Sequence, residues 1–85
     1  MVESNCIKIT HKEKDYILSY FSFSSFKGAF YSLAYARSFE EIDCSLGDEV
    51  TINLVKDDEK TPVFTGFIDN LILFNGELNL VVKEG

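Results

Sequence analysis

The stretch Val63-Phe64-Thr65-Gly66-Phe67-Ile68-Asp69-Asn70-Leu71-Ile72-Leu73-Phe74-Asn75-Gly76-Glu77-Leu78-Asn79-Leu80-Val81-Val82-Lys83 decides the fold class. Asn75-Gly76 sits between two apolar runs. Both residues tolerate positive φ, so the pair predicts a two-residue type I′ hairpin. The run after it, Glu77 to Lys83, places Leu78, Leu80 and Val82 on one face with strand period. The run before it, Val63 to Phe74, is the longest strand expected in the chain. Gly66 inside it predicts a bulge, a barrel bend or a close approach of another backbone.

Working outward, the remaining segments also read as short strands. Glu49 to Lys56 alternates, with Val50, Ile52 and Leu54 expected inward. Asp57 to Lys60 is a charged hairpin tip, and Pro62 is expected to mark entry to the following strand. Cys6 to Thr10 is a first strand, and His11 to Asp15 a polar turn. Tyr16 to Phe23 is apolar on both faces, so a strand covered on both sides is expected. Ser24 to Gly28 reads as a loop. Ala29 to Arg37 carries a Ser/Ala face, which predicts close packing against another element; helix is the rival reading. Ser38-Phe39-Glu40-Glu41 has the form of a capping box, so one short helix ending near Gly47 is expected. The total is about six strands and one short helix, an all-β chain. Tight reversals and the cost of open edges favour a small antiparallel β-barrel, formed by residues 1–85 as a single domain.

The chain has 85 residues, 46% hydrophobic and 26% charged. That is globular composition, with a core small enough to need aromatic residues or a partner. No apolar run is long enough for a spanning helix, and residues 1–5 do not resemble a secretory leader. The net charge of -6 is uneven: residues 1–37 carry five cations against three acids, and residues 38–85 three against eleven. Nucleic-acid binding needs cations to displace counterions, so no nucleic-acid partner is expected. A head-to-tail contact between a basic edge and an acidic one is a further reading, set against a solvated acidic surface.

No catalytic, cofactor or metal residue emerges. His11 is the single histidine and has no nucleophile beside it in sequence. Cys6 and Cys44 are expected as reduced, small hydrophobes and make no zinc site alone. The paired acids, such as Asp57-Asp58, fall in turns, where water solvates them. The unusual feature is the aromatics: nine of twelve lie between Tyr16 and Phe39. Part of them builds a core. The excess is expected at a protein–protein interface, with Tyr20, Phe26, Tyr31 and Tyr35 as the candidate residues.

From Tyr16 onward the order of features resembles the β-barrel domain of contractile-tail hub proteins. These are phage baseplate hub and late-control proteins and the related type VI secretion spike proteins. The resemblance rests on Leu46-Gly47-Asp48-Glu49-Val50-Thr51-Ile52, the charged tip Asp57 to Lys60, and Val63-Phe64-Thr65-Gly66-Phe67-Ile68-Asp69. It implies a structural component of a phage tail or tail-like injection apparatus. Such a component acts by contacts with other tail or baseplate proteins or with its own copies, as a trimer or hexamer, and without catalysis. It implies a place in the bacterial cytoplasm during assembly, or in the virion or tail-like particle. A stand-alone ligand- or peptide-binding barrel and an oligonucleotide-binding barrel are the alternative readings.

Overall fold

A computed structural model describes residues 5–25 and 32–85, with Asn5 and Ser25 described by their backbone. The seven strands are β1 (Asn5–His11), β2 (Lys14–Ile17), β3 (Tyr20–Ser25), β4 (Ser32–Ser38), β5 (Glu49–Lys56), β6 (Glu59–Phe74) and β7 (Glu77–Glu84). They form one sheet in the order β2-β1-β5-β6-β7-β4-β3, and every neighbouring pair is antiparallel.

The sheet curls into a barrel because its two end strands are one stretch of chain. β2 pairs with β1, and β3 pairs with β4. Between them, the Leu18 N–H donates to the Ile7 carbonyl at 2.9 Å and the Ser19 N–H to the Arg37 carbonyl at 2.7 Å. The chain thus leaves one side of the sheet and joins the other at Leu18-Ser19. Six spans of chain suffice for closure, since β2 and β3 act as a single bent span.

The interior is filled by alternate residues from every side. Ile9, Ala34, Ala36, Val50, Ile52, Leu80 and Val82 are all 2% exposed or less. Ser32, Ala34 and Ala36 of the expected Ser/Ala face of β4 are all buried inward. Gly66 faces the same interior. A Cβ there would lie 2.1 Å from the Lys83 carbonyl oxygen of β7, so the expected close backbone approach is present.

Three hairpins have two-residue turns: Lys12-Glu13, Asp57-Asp58 and Asn75-Gly76. All six turn residues have positive φ, the type I′ pattern whose twist matches the flanking strands. The polar turn expected over His11 to Asp15 is therefore shorter. His11 ends β1 and is buried, and Lys14 opens β2.

The structure corrects three further expectations. There is no helix at Ser38-Phe39-Glu40-Glu41. Ser38 is the last residue of β4, paired with Leu78, and its hydroxyl donates to the Ile17 carbonyl at 2.7 Å while accepting the Glu40 N–H at 3.1 Å. The Glu40 carboxylate accepts the Ile17 N–H. These bonds tie Ser38 and Glu40 to Ile17 of β2 and hold the segment as a non-helical loop, which drops Ile42 into the core. Pro62 does not open its strand, because β6 begins at Glu59. Its missing N–H is accommodated beside an irregularity at Val63, where the β5 register shifts between Ile52 and Asn53. Finally, Tyr16 to Phe23 is not a strand covered on both sides. Tyr16 and Leu18 point inward before the bend and Phe21 after it, Phe23 packs edge-on against Phe64 while staying half exposed, and Ile17 and Tyr20 are exposed. The alternation slips by one residue at the bend, which makes both faces look apolar in the sequence.

Candidate interaction face

Two slips of strand phase build one outer surface. At Leu18-Ser19 the inward positions change from even to odd numbers, so Tyr20 turns outward. In β6 the inward run Phe64, Gly66 and Ile68 is broken at Asp69, an extra residue facing the Ile68/Asn70 register shift of β7. Beyond that bulge Leu71 points inward, and Asn70 and Ile72 point out. Without either slip these side chains would enter the barrel.

The outer sides of β3, β4, β7 and β6 then align across the sheet. One row runs Tyr20, Arg37, Asn79 and Ile72, and the next runs Ser22, Tyr35, Val81 and Asn70. Together they line an open depression of about 280 Å³. Tyr20 is 46% exposed and Tyr35 38%. The Arg37 guanidinium lies over the Tyr20 ring, 4.9 Å from its centroid, a cation–π contact that holds both side chains upright on the surface. The Asn79 amide nitrogen donates to the Glu77 carbonyl at 3.1 Å, which fixes its orientation in the row. Aromatic rings, an arginine and amides on a preformed concave sheet are interface chemistry.

Of the four residues expected at an interface, Tyr20 and Tyr35 therefore share one face. Phe26 and Tyr31 lie outside the described residues. Arg37, Ile72 and Asn79 were not singled out from the sequence. Ile72 carried no local signal, because Leu71, Ile72, Leu73 and Phe74 are all apolar and fit either phase of the strand.

The polar groups elsewhere serve the framework. His11 is 3% exposed and its Nε2 lies 2.8 Å from an Asp48 carboxylate oxygen, which also accepts the Ser45 N–H at 2.9 Å. The Ser45 N–H foremost, and then His11, hold the Asp48 carboxyl below its ordinary value. On the outer side of β1 and β5, Asn53 donates to Thr10 at 3.0 Å and Thr10 donates to Asp15 at 2.6 Å. Lys60 completes the chain by pairing with Asp15. The hydrogen bond from Lys60, followed by that from Thr10, holds the Asp15 carboxyl down. Cys6 and Cys44 are both free thiols. Burial, and then nearby Asp48 and Asp43, push the Cys44 thiol up, which keeps it protonated and unreactive. Among the described residues no three His, Cys, Asp or Glu side chains converge as metal ligands. Among them, too, no helix is long and apolar enough to cross a membrane.

No protein-family model matches the chain, and comparison with curated proteins finds no match.

Proposed function

We propose that the protein is a structural and assembly component of a phage tail or phage-tail-like contractile injection apparatus, working through protein–protein contacts and not through catalysis. The observation that carries the contact reading is the outer face of β3, β4, β7 and β6. Tyr20 and Tyr35 stand exposed on it beside Arg37. Tyr and Arg on a rigid, preformed surface are the residues that dominate interface energies. The packed interior weighs against a ligand-binding barrel, since Ile9, Ile52, Leu80 and Val82 leave it no room for a guest. The assignment to a tail apparatus rests on the resemblance of the Leu46 to Ile52 and Val63 to Asp69 blocks to hub barrels.

The test is incorporation. Tail or injection particles purified from the source cells are expected to contain the chain. A Tyr20→Ser/Tyr35→Ser variant, expressed in place of the original, is expected to fold with unchanged unfolding free energy and to be lost from the particles. Absence of the original chain from such particles refutes the assignment to the apparatus. Normal incorporation of the folded double variant refutes the assignment of the face.

A further inference from the structure

The half of β6 beyond the bulge is an open sheet edge. β5 ends its pairing with β6 at Glu49 opposite Phe67, and the last bonds on that side join Ile68 to Gly47 and Asp48. From Asn70 to Phe74, β6 is paired only with β7 among the described residues. The type I′ turn makes Phe74 and Glu77 a hydrogen-bonded pair, so alternate residues Phe74, Ile72 and Asn70 direct their backbone groups to β7. Leu71 and Leu73 direct theirs to the open side. The Leu71 N–H is taken by the Asn70 side chain at 2.8 Å. No described partner meets the Leu71 carbonyl or the Leu73 N–H and carbonyl.

This edge lacks the usual protection. The free stretch Asn70-Leu71-Ile72-Leu73-Phe74 has no Lys, no Pro and no charge, whereas the edge segment β2 carries Lys14 and Asp15. Its side chains are exposed as well: Ile72 56%, Leu73 71% and Phe74 66%, with Phe39 beside Leu73 at 70%. Ile72 and Phe74 lie on the outer side of the edge and Leu73, with Phe39 beside it, on the inner side, so exposed apolar side chains flank the edge on both faces.

We infer that this edge pairs with the same edge of a second copy of the chain, antiparallel about a two-fold axis at Ile72. The inference rests on reading the protein as an assembly module, and it sets a two-fold pair in place of the trimer or hexamer that the family resemblance implies. Self-pairing suits the stretch because it is short, neutral and symmetric in character. In that register Ile72 faces Ile72 of the second copy on the outer side, and Asn70 faces its Phe74. On the inner side Leu71 faces its Leu73. No like charges meet. The Leu73 N–H donates to the Leu71 carbonyl across the axis, and the Asn70 side chain releases the Leu71 N–H to complete the ladder. Pairing the two edges brings these side chains beside their counterparts across the axis on both faces of the joined sheet. A partner of either charge sign would gain nothing from so neutral an edge, which favours a like strand as occupant.

The test is sedimentation velocity of the full chain from low micromolar to millimolar concentration, with amide exchange read at Leu73. The expected result is an even-numbered species, with the Leu73 amide more protected as concentration rises. Ile72→Lys places two cations opposite each other and is expected to weaken association at least about tenfold. Because residue 72 is exposed, the monomer stays folded. Leu73→Pro removes the donor and is expected to do the same. A chain that stays monomeric at millimolar concentration overturns the inference. So does a trimer, which has no two-fold axis, or an oligomer that both variants leave intact. In those last two cases the assembly reading survives and only this contact fails. Loss of oligomer in Tyr20→Ser/Tyr35→Ser, with Leu73→Pro unaffected, likewise moves the contact to the other face and overturns the edge pairing.

Discussion

Replacing Gly66 with alanine tests the closest contact in the barrel. The added Cβ would lie 2.1 Å from the Lys83 carbonyl oxygen and 2.7 Å from its carbonyl carbon. A non-bonded carbon–oxygen contact needs about 3.3 Å, so β7 must retreat by about 1 Å. That distance is enough to break ladder hydrogen bonds, which span only about 2.9 Å. The strand cannot move freely, because Val82 beside it is fully buried and pairs with Ile68. Two lost bonds at about 1 kcal/mol each and a loosened core contact of similar size give about 3 kcal/mol. Restricting the unfolded chain returns about 0.5 kcal/mol. The net loss, about 2–3 kcal/mol, lowers the melting temperature by roughly 10–20 °C for a domain of this size. The contrast is Gly47, which has φ +87° and nothing within 4 Å of its missing Cβ. Gly47→Ala pays only for backbone strain, about 1 kcal/mol. Urea unfolding followed by far-UV circular dichroism measures both, since the chain has no tryptophan to report by fluorescence. A Gly66→Ala protein within about 0.5 kcal/mol of the original, or a costlier Gly47→Ala, refutes the close-approach argument.

Other outcomes follow from the turns and the carboxylates. Asp58 holds φ +68° without glycine's freedom, so Asp58→Gly is expected to raise stability by about 0.5–1 kcal/mol in the same unfolding assay, and a loss would argue against the type I′ geometry. Asp15 and Asp48 both have folded-state carboxyl values below the unfolded 3.8. The unfolded chain therefore binds protons first as pH falls. Their contribution is complete above about pH 4–5 and is lost as pH drops below about 4 through the folded values. Urea midpoints measured across that range are expected to fall, and to fall less steeply in Asp15→Asn and Asp48→Asn; an unchanged slope in both variants contradicts the assignment.

Much of the architecture could be read in advance, for local reasons. Glu49 to Lys56 is β5 with Val50 and Ile52 buried as expected, although Leu54, expected inward, is exposed, and Asn75-Gly76 makes the expected turn, because period-two alternation and positive-φ residues act within a few positions. Ser38-Phe39-Glu40-Glu41 misled for an equally physical reason. A capping box is a local preference worth about 1 kcal/mol, and Ser38 instead ends β4 opposite Leu78, while the Ile17 backbone, 21 and 23 residues away, binds the Ser38 and Glu40 side chains. The interaction face was half legible. Tyr20 and Tyr35 could be picked out as surplus aromatics, but Arg37, Asn79 and Ile72 join them through strand neighbours distant in sequence.

Composition and alternation were enough to establish an all-β chain whose short strands reverse at tight turns, because side-chain burial and turn chemistry are short-range. A barrel was expected in outline, but the place where the sheet closes was beyond their reach, and so was the outer face. Both depend on where a strand shifts phase, at Leu18-Ser19 and at Asp69, and a shift of one residue changes little locally. It is set by which strand lies alongside. Packing Val82 against Ile68, with Gly66 held against Lys83, leaves Asp69 as the residue that cannot be paired, and so turns Ile72 to the outside.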